Sequence, residues 1–196
     1  MKKFSLLVAL IATLGFVDAV YAQLDATFNI TSISSRNPQV GIEYAVSEQF
    51  GIGLDVGIPI GRYKIVINDS ETTFKRAGFF ATVQAKYYFN PDQSTTGFYG
   101  VLYSRYRNLT FTDREFDGTS DPIDDLKINR LAVGLGFGGK FLINDKFIID
   151  AMLGGGFAPL KDNELIDFFE DDLGFLDGLQ SIDLYMRVGL GYRILD

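Results

Sequence analysis

Three residue types are missing from this chain of 196 residues: cysteine, histidine and tryptophan. Without cysteine, no disulfide can brace the fold. Without histidine, a serine or a water has no imidazole beside it to act as base, which closes the usual hydrolytic route. A carboxylate pair could still serve as acid and base, but the Asp and Glu pairs in the sequence have no fixed spacing, so the chain reads as a non-enzyme with no catalytic, cofactor or metal residues to name. Positive charge is also short. Lys and Arg number 18 against 25 Asp and Glu, a formal net charge of −7. Nucleic acid, whose phosphates need a basic surface, is therefore excluded as a partner. Beyond the N-terminal segment no apolar run approaches the roughly 20 residues that a membrane-spanning helix needs.

What the chain has in place of these is alternation. Residues 131–138 read Leu-Ala-Val-Gly-Leu-Gly-Phe-Gly, and residues 182–192 read Ile-Asp-Leu-Tyr-Met-Arg-Val-Gly-Leu-Gly-Tyr. A period of two is the period of a β-strand, and the two faces lie in different surroundings. One face is bulky and apolar; the other is glycine, alanine and charge. Glycine weakens a strand, so a face turned to open water has no use for it. The inside of a narrow barrel does, because side chains crowd there. The apolar face is then the outer one.

The N-terminus has the parts of a secretory signal. Lys2 and Lys3 precede an apolar stretch over residues 4–16, and Val20-Tyr21-Ala22 sets small residues at the recognition positions. Cleavage after Ala22 gives a leader at 1–22 and one domain at 23–196. Loss of Lys2, Lys3 and Asp18 takes the net charge from −7 to −8.

Eight strands are predicted, at residues 24–33, 39–46, 50–58, 75–89, 98–111, 127–142, 146–157 and 181–194. Most reach the roughly 9–11 residues of a tilted transmembrane strand. Short links at 47–49, 90–97 and 143–145 alternate with long ones at 59–74, 112–126 and 158–180. Short periplasmic turns opposite long external loops are the mark of a transmembrane barrel, and this places both termini on the periplasmic side. The outward positions carry no charge. On the fifth strand, Phe98, Leu102 and Tyr106 are assigned outward, because Arg105 and Arg107 lie on the other face. Tyr44, Phe50, Tyr87, Phe89, Phe98, Phe141, Phe147 and Tyr192 gather beside the short turns, as an aromatic girdle does. The inward face takes Asp25, Thr27, Asn29, Thr31, Glu43, Asp55, Arg76, Gln84, Lys86, Arg130, Lys140, Asp150, Asp183, Arg187 and Arg193. Buried charges must be paired, and Lys140 is expected diagonal to Asp150. Eight strands leave just enough room for side chains to fill the interior, so a plugged polar core is expected, not an open pore.

Arg187-x-Gly189-x-x-Tyr192-x-Ile194 resembles the β-signal read by the barrel-assembly machinery, although the chain ends Ile194-Leu195-Asp196 and not on an aromatic residue. With the strand pattern, the chain resembles the small eight-stranded outer-membrane β-barrels of the OmpA and OmpX type. More narrowly, Asn37-Pro38-Gln39-Val40-Gly41-Ile42-Glu43-Tyr44, Phe50-Gly51-Ile52-Gly53-Leu54 and Gln84-Ala85-Lys86-Tyr87-Tyr88-Phe89 resemble uncharacterised outer-membrane barrels of Bacteroidetes type. The resemblance implies an all-β, antiparallel, up-and-down transmembrane barrel in the outer membrane of a Gram-negative cell envelope. It also implies contact with outer-membrane lipid or lipopolysaccharide, and a structural or adhesive role through the loops, with a surface partner there. No activity carries over.

Two loop features compete with plainer readings. Asp113, Glu115, Asp117, Gly118, Asp121 and Asp124 loosely resemble a calcium loop, with a solvated acidic loop as the preferred alternative. Leu165, Phe168, Phe169, Leu173 and Leu176 recur at near-helical spacing, read first as a lid on the barrel and second as a docking surface. The whole pattern also admits a soluble exported barrel with an apolar interior that binds lipid, because inverting the faces preserves the period.

Overall fold

The computed structural model describes residues 23–67, 70–91, 93–115, 126–163 and 181–195. They form strands β1 (Leu24–Asn29), β2 (Gln39–Ala45), β3 (Phe50–Gly57), β4 (Arg62–Ile67), β5 (Ser70–Tyr88), β6 (Gly97–Glu115), β7 (Leu126–Ile143), β8 (Phe147–Asn163) and β9 (Ile182–Leu195), with a single helical turn, α1 (Thr31–Ser34), after β1. All pairings are antiparallel. β3 pairs with β5, and β9 pairs with both β8 and β1, which closes an eight-stranded up-and-down barrel. β4 stands outside the ring. It pairs with residues 70–75 of β5, beyond the stretch of β5 that meets β3.

The alternation holds around the ring. Leu135, Phe137, Leu153, Leu184 and Met186 face outward and are exposed, while Asp150, Asp183, Tyr185 and Arg187 between them are buried. β6 follows the assignment made from its arginines: Phe98, Leu102 and Tyr106 are exposed, and Tyr99, Val101, Tyr103 and Arg105 point in. The aromatic residues beside the short turns form an exposed belt, in which Phe98 meets Phe141 edge-on at 5.7 Å and Phe147 meets Tyr192 at 5.5 Å.

Several elements differ from the sequence expectation, and β6 and β8 run on past residues 111 and 157 to Glu115 and Asn163. The first strand stops at Asn29, not at residue 33. Asn29 Oδ1 accepts from Thr31 N and Thr31 Oγ1, and Ser32 Oγ donates back to the Asn29 carbonyl. Short polar side chains that bond their own backbone compete with the ladder, and here they turn the chain into α1. The link at 59–74 is largely strand, being β4 and the start of β5. The turn after β7 spans Asn144, Asp145 and Lys146, one residue later than expected, with Asn144 and Asp145 at φ of 52° and 61°. Asn and Asp tolerate that left-handed region better than most residues. The predicted leader at 1–22, the acidic side chains from Asp113 to Asp124 and the apolar spacing from Leu165 to Leu176 lie outside the described residues or side chains.

The inward glycines make room for tyrosines. A methyl group on Gly134 would lie 2.5 Å from Cζ and Oη of Tyr103, and one on Gly138 would lie 2.5 Å from Tyr99 Oη. Gly155, on the outer face, has open space around the same position. Overpacking a filled interior typically costs about 1–3 kcal/mol. Gly134→Val should therefore lower stability by that amount in urea unfolding of the refolded protein in detergent, while Gly155→Val leaves the midpoint nearly unchanged.

Candidate functional site

The interior holds charge at two levels. Nearer the short turns lie four carboxylates and four cations: Asp25, Glu43, Asp55 and Asp150 with Lys86, Lys140, Arg187 and Arg193, all buried. Strand alternation brings them from seven strands to one space. Lys140 Nζ donates to Asp25 Oδ2 at 2.7 Å and to Glu43 Oε1 at 2.8 Å. Lys86 Nζ donates to Glu43 Oε2 at 2.7 Å and to Asp150 Oδ2 at 2.9 Å. Arg193 Nε donates to Asp25 Oδ1 at 2.9 Å. Arg187 donates to Asp150 and to Thr27, and its Nε lies 3.2 Å from Asp55 Oδ2.

Tyrosines complete the set. Tyr88 donates to Glu43 at 2.6 Å, Tyr185 donates to Asp55 at 2.9 Å, and Tyr99 donates to Asp150. The lysines also lie over aromatic faces, Lys86 at 4.5 Å from the Tyr99 centroid and Lys140 at 5.1 Å from that of Tyr88. Such contacts favour a desolvated cation.

Lys140 and Asp150 are neighbours, as the sequence suggested, but directly opposite and not diagonal. The later turn accounts for the shift. Nor do they pair with each other. Lys140 serves β1 and β2 across the barrel, while Asp150 is taken by Lys86 and Arg187. The four inward tyrosines, Tyr88, Tyr99, Tyr103 and Tyr185, were not singled out from sequence. Neither was the turn between β5 and β6, which tucks into this end. Thr95 is buried, its N–H donates to the Glu48 carbonyl at 2.8 Å, and Arg193 donates to the Ser94 carbonyl at 3.3 Å.

The second level lies toward the long-loop end. Asp183 on β9 meets Arg105 and Arg107 of β6 and Arg130 of β7. Arg105 also donates to the Leu184 carbonyl at 2.9 Å and lies 4.6 Å from the Tyr185 centroid. Arg130 donates to the Ile182 carbonyl at 2.6 Å. Among the described residues, no group of three or more Asp or Glu is placed to hold a metal ion.

The model of the family described as protein of unknown function, DUF3575, matches residues 5–169. The chain belongs to that family. No curated protein matches it. Solved structures similar to it include the N-terminal β-barrel domain of Pseudomonas aeruginosa OprF, at 14% identity over 88% of this chain and 96% of that one, with a TM-score of 0.45. Ail, the attachment invasion locus protein of Yersinia pestis, is 13% identical over 88% of this chain and 97% of that one, with a TM-score of 0.45. Neisserial surface protein A is 11% identical over 88% and 94% of the two chains, with a TM-score of 0.37.

The central network sets a sharp expectation for this DUF3575 chain. Removing one partner of a buried ion pair typically costs about 3–5 kcal/mol, because the other charge stays buried and alone. Lys140→Met takes from Asp25 and Glu43 the cation they share, leaving only Arg193 to the first and Lys86 to the second and one negative charge in excess, so its urea midpoint should fall by that equivalent. Lys146→Met, on the exposed turn next to the same strands, should move it by less than about 0.5 kcal/mol.

Proposed function

We propose that the protein is an integral outer-membrane barrel with a plugged interior and a structural or surface-binding role exercised at its long-loop end. It acts without catalysis and without conduction. The observation that carries this reading is the inversion of the faces. Large apolar side chains are exposed all round the barrel, with Leu184 at 76%, Phe98 and Leu135 at 68% and Phe137 at 67%, while the charges are inside. Soluble proteins rarely expose contiguous apolar surface beyond a few hundred Å², and an unbroken apolar band calls for lipid as its solvent. Closure satisfies the strand edges that lipid cannot. The aromatic belt at one end fits the level of the headgroups.

The soluble lipid-binding alternative needs an apolar interior. The interior instead holds Asp25, Glu43, Lys86, Lys140, Asp150 and Arg187 in mutual contact, which supports the membrane reading. The same contacts support a plug, because a conducting path would have to part them. The β9 pattern around Gly189 and Tyr192 supports recognition by the barrel-assembly machinery, and the outer face supports contact with outer-membrane lipid, including lipopolysaccharide.

Fractionation with a heat-modifiability gel tests the reading. The protein should partition with the outer membrane and its band should shift on boiling. A soluble periplasmic band with no shift would overturn it. In planar bilayers the protein should be silent. Leu135→Arg should cost about 2–4 kcal/mol for folding into lipid vesicles if the residue lies near the bilayer midplane, whereas an exposed position on a soluble barrel would tolerate it.

A further inference from the structure

The network near the short turns is balanced, four charges against four, but the second level is not. Three guanidinium groups, on Arg105, Arg107 and Arg130, share one carboxylate. All three approach the same oxygen, Asp183 Oδ1, with Arg107 Nη2 at 3.2 Å and Arg130 Nη2 at 3.9 Å. The other oxygen accepts from Tyr103 at 3.1 Å. Among the described residues, no second carboxylate contacts the three arginines.

Two independent observations say that the cluster is built for something not yet bound to it. Arg107 and Arg130 stand directly opposite each other in the β6–β7 register. Like charges in that position repel, a cost that the folded barrel carries. Arg105 is only 7% exposed, yet its Nε has no hydrogen-bond partner, and neither has the buried Nε of Arg130, a shortfall that Arg187 Nε shares in the balanced network. Buried donors are nearly always satisfied. The cluster is also reachable, since the Arg107 side chain is 30% exposed whereas that of Arg105 is deeper, at 8%.

We infer that the loop-end mouth of the barrel is a binding site for a tetrahedral dianion of the phosphate class, held by Arg105, Arg107 and Arg130. The charge fits: among the described side chains, three cations less one carboxylate leave an excess of two, and a phosphomonoester carries about −1.5 to −2 at neutral pH. The donors fit, because guanidinium forks match the oxygens of phosphate. The arginines point into the lumen, on the other side of the wall from any surrounding headgroups, so the ligand is borne by a solute or a polymer and not by a neighbouring lipid. The site does not rest on the membrane reading, since a soluble barrel would carry the same cluster.

Calorimetric titration of the detergent-purified protein with inorganic phosphate, in chloride of matched ionic strength, tests it. Saturable binding is expected, weakened tenfold or more in Arg107→Gln and in Arg130→Gln. The boiling shift of each variant checks that it is folded, and having two single variants guards against the loss of one. A parallel titration uses phosphatidic acid in mixed micelles. Binding there but not with free phosphate, lost in the same variants, would keep the arginine site and move its ligand to lipid. Absence of saturable binding to either ligand, or equal binding in the folded variants, would overturn the site.

Discussion

The pairing of charge inside a closed wall is the constraint on which the rest of this structure depends. An ion taken out of water costs several kcal/mol even after relaxation, and its partner repays this only with good geometry and further hydrogen bonds. Eight buried ions can coexist here because each carboxylate meets at least one cation and one further donor. Asp150 shows the pattern: it accepts from Lys86, Arg187 and Tyr99, which stand on β5, β9 and β6. The contacts with Lys86 and Tyr99 tie β8 to strands that are not its neighbours in the sheet. They also fix register, since a slip of one residue would carry a charge to the apolar outer face.

The same demand explains the glycines. Tyrosines are needed inside as donors to Glu43, Asp55, Asp150 and Asp183. A barrel this narrow has no room for them unless the adjoining wall is bare. β7 and β8 supply the bare wall with Gly134, Gly138, Gly154 and Gly156. A glycine-rich face is thus the complement of a tyrosine-rich one, and each would be a liability without the other.

This complementarity also marks how far the sequence could be read. Alternation located the ring and both faces, because outer Leu, Phe and Met do not trade places with charge on β7 from Leu131 onward or on the described side chains of β8 and β9. The signal faltered on β6, where Phe98 and Tyr99, and Leu102 and Tyr103, put bulky side chains on both faces. Arg105 and Arg107 resolved it there, since a charge must face inward. What stayed hidden was which charge meets which. Inward residues on distant strands face each other across the lumen, so sequence spacing could bring Lys140 near Asp150 but not to Asp25 and Glu43. The end of β1 was missed for a local reason: Asn29, Thr31 and Ser32 satisfy the backbone themselves, and no period announces that. The three arginines around Asp183 were legible one by one but not as a cluster, because β6, β7 and β9 contribute to it across a span of 78 residues.

The two ends of the barrel obey different rules, and the difference bears on where function resides. At the short-turn end the Ser94–Thr95 turn enters the lumen and is bonded to Arg193 and Glu48. Charge there is balanced and every carboxylate is engaged. At the long-loop end, one carboxylate must serve three arginines, and donors are left over. A fold that neutralises its charges so completely at one level and leaves two uncompensated at the next is not limited by a shortage of acidic residues, which exceed the basic ones over the chain by seven. Any inward position beside Arg107 or Arg130 could have carried an aspartate. Stability alone would favour that exchange, because it would replace repulsion with a pair. On the proposed site, the charge left uncompensated among the described side chains is a cost set against binding, with recognition at the mouth and support at the base.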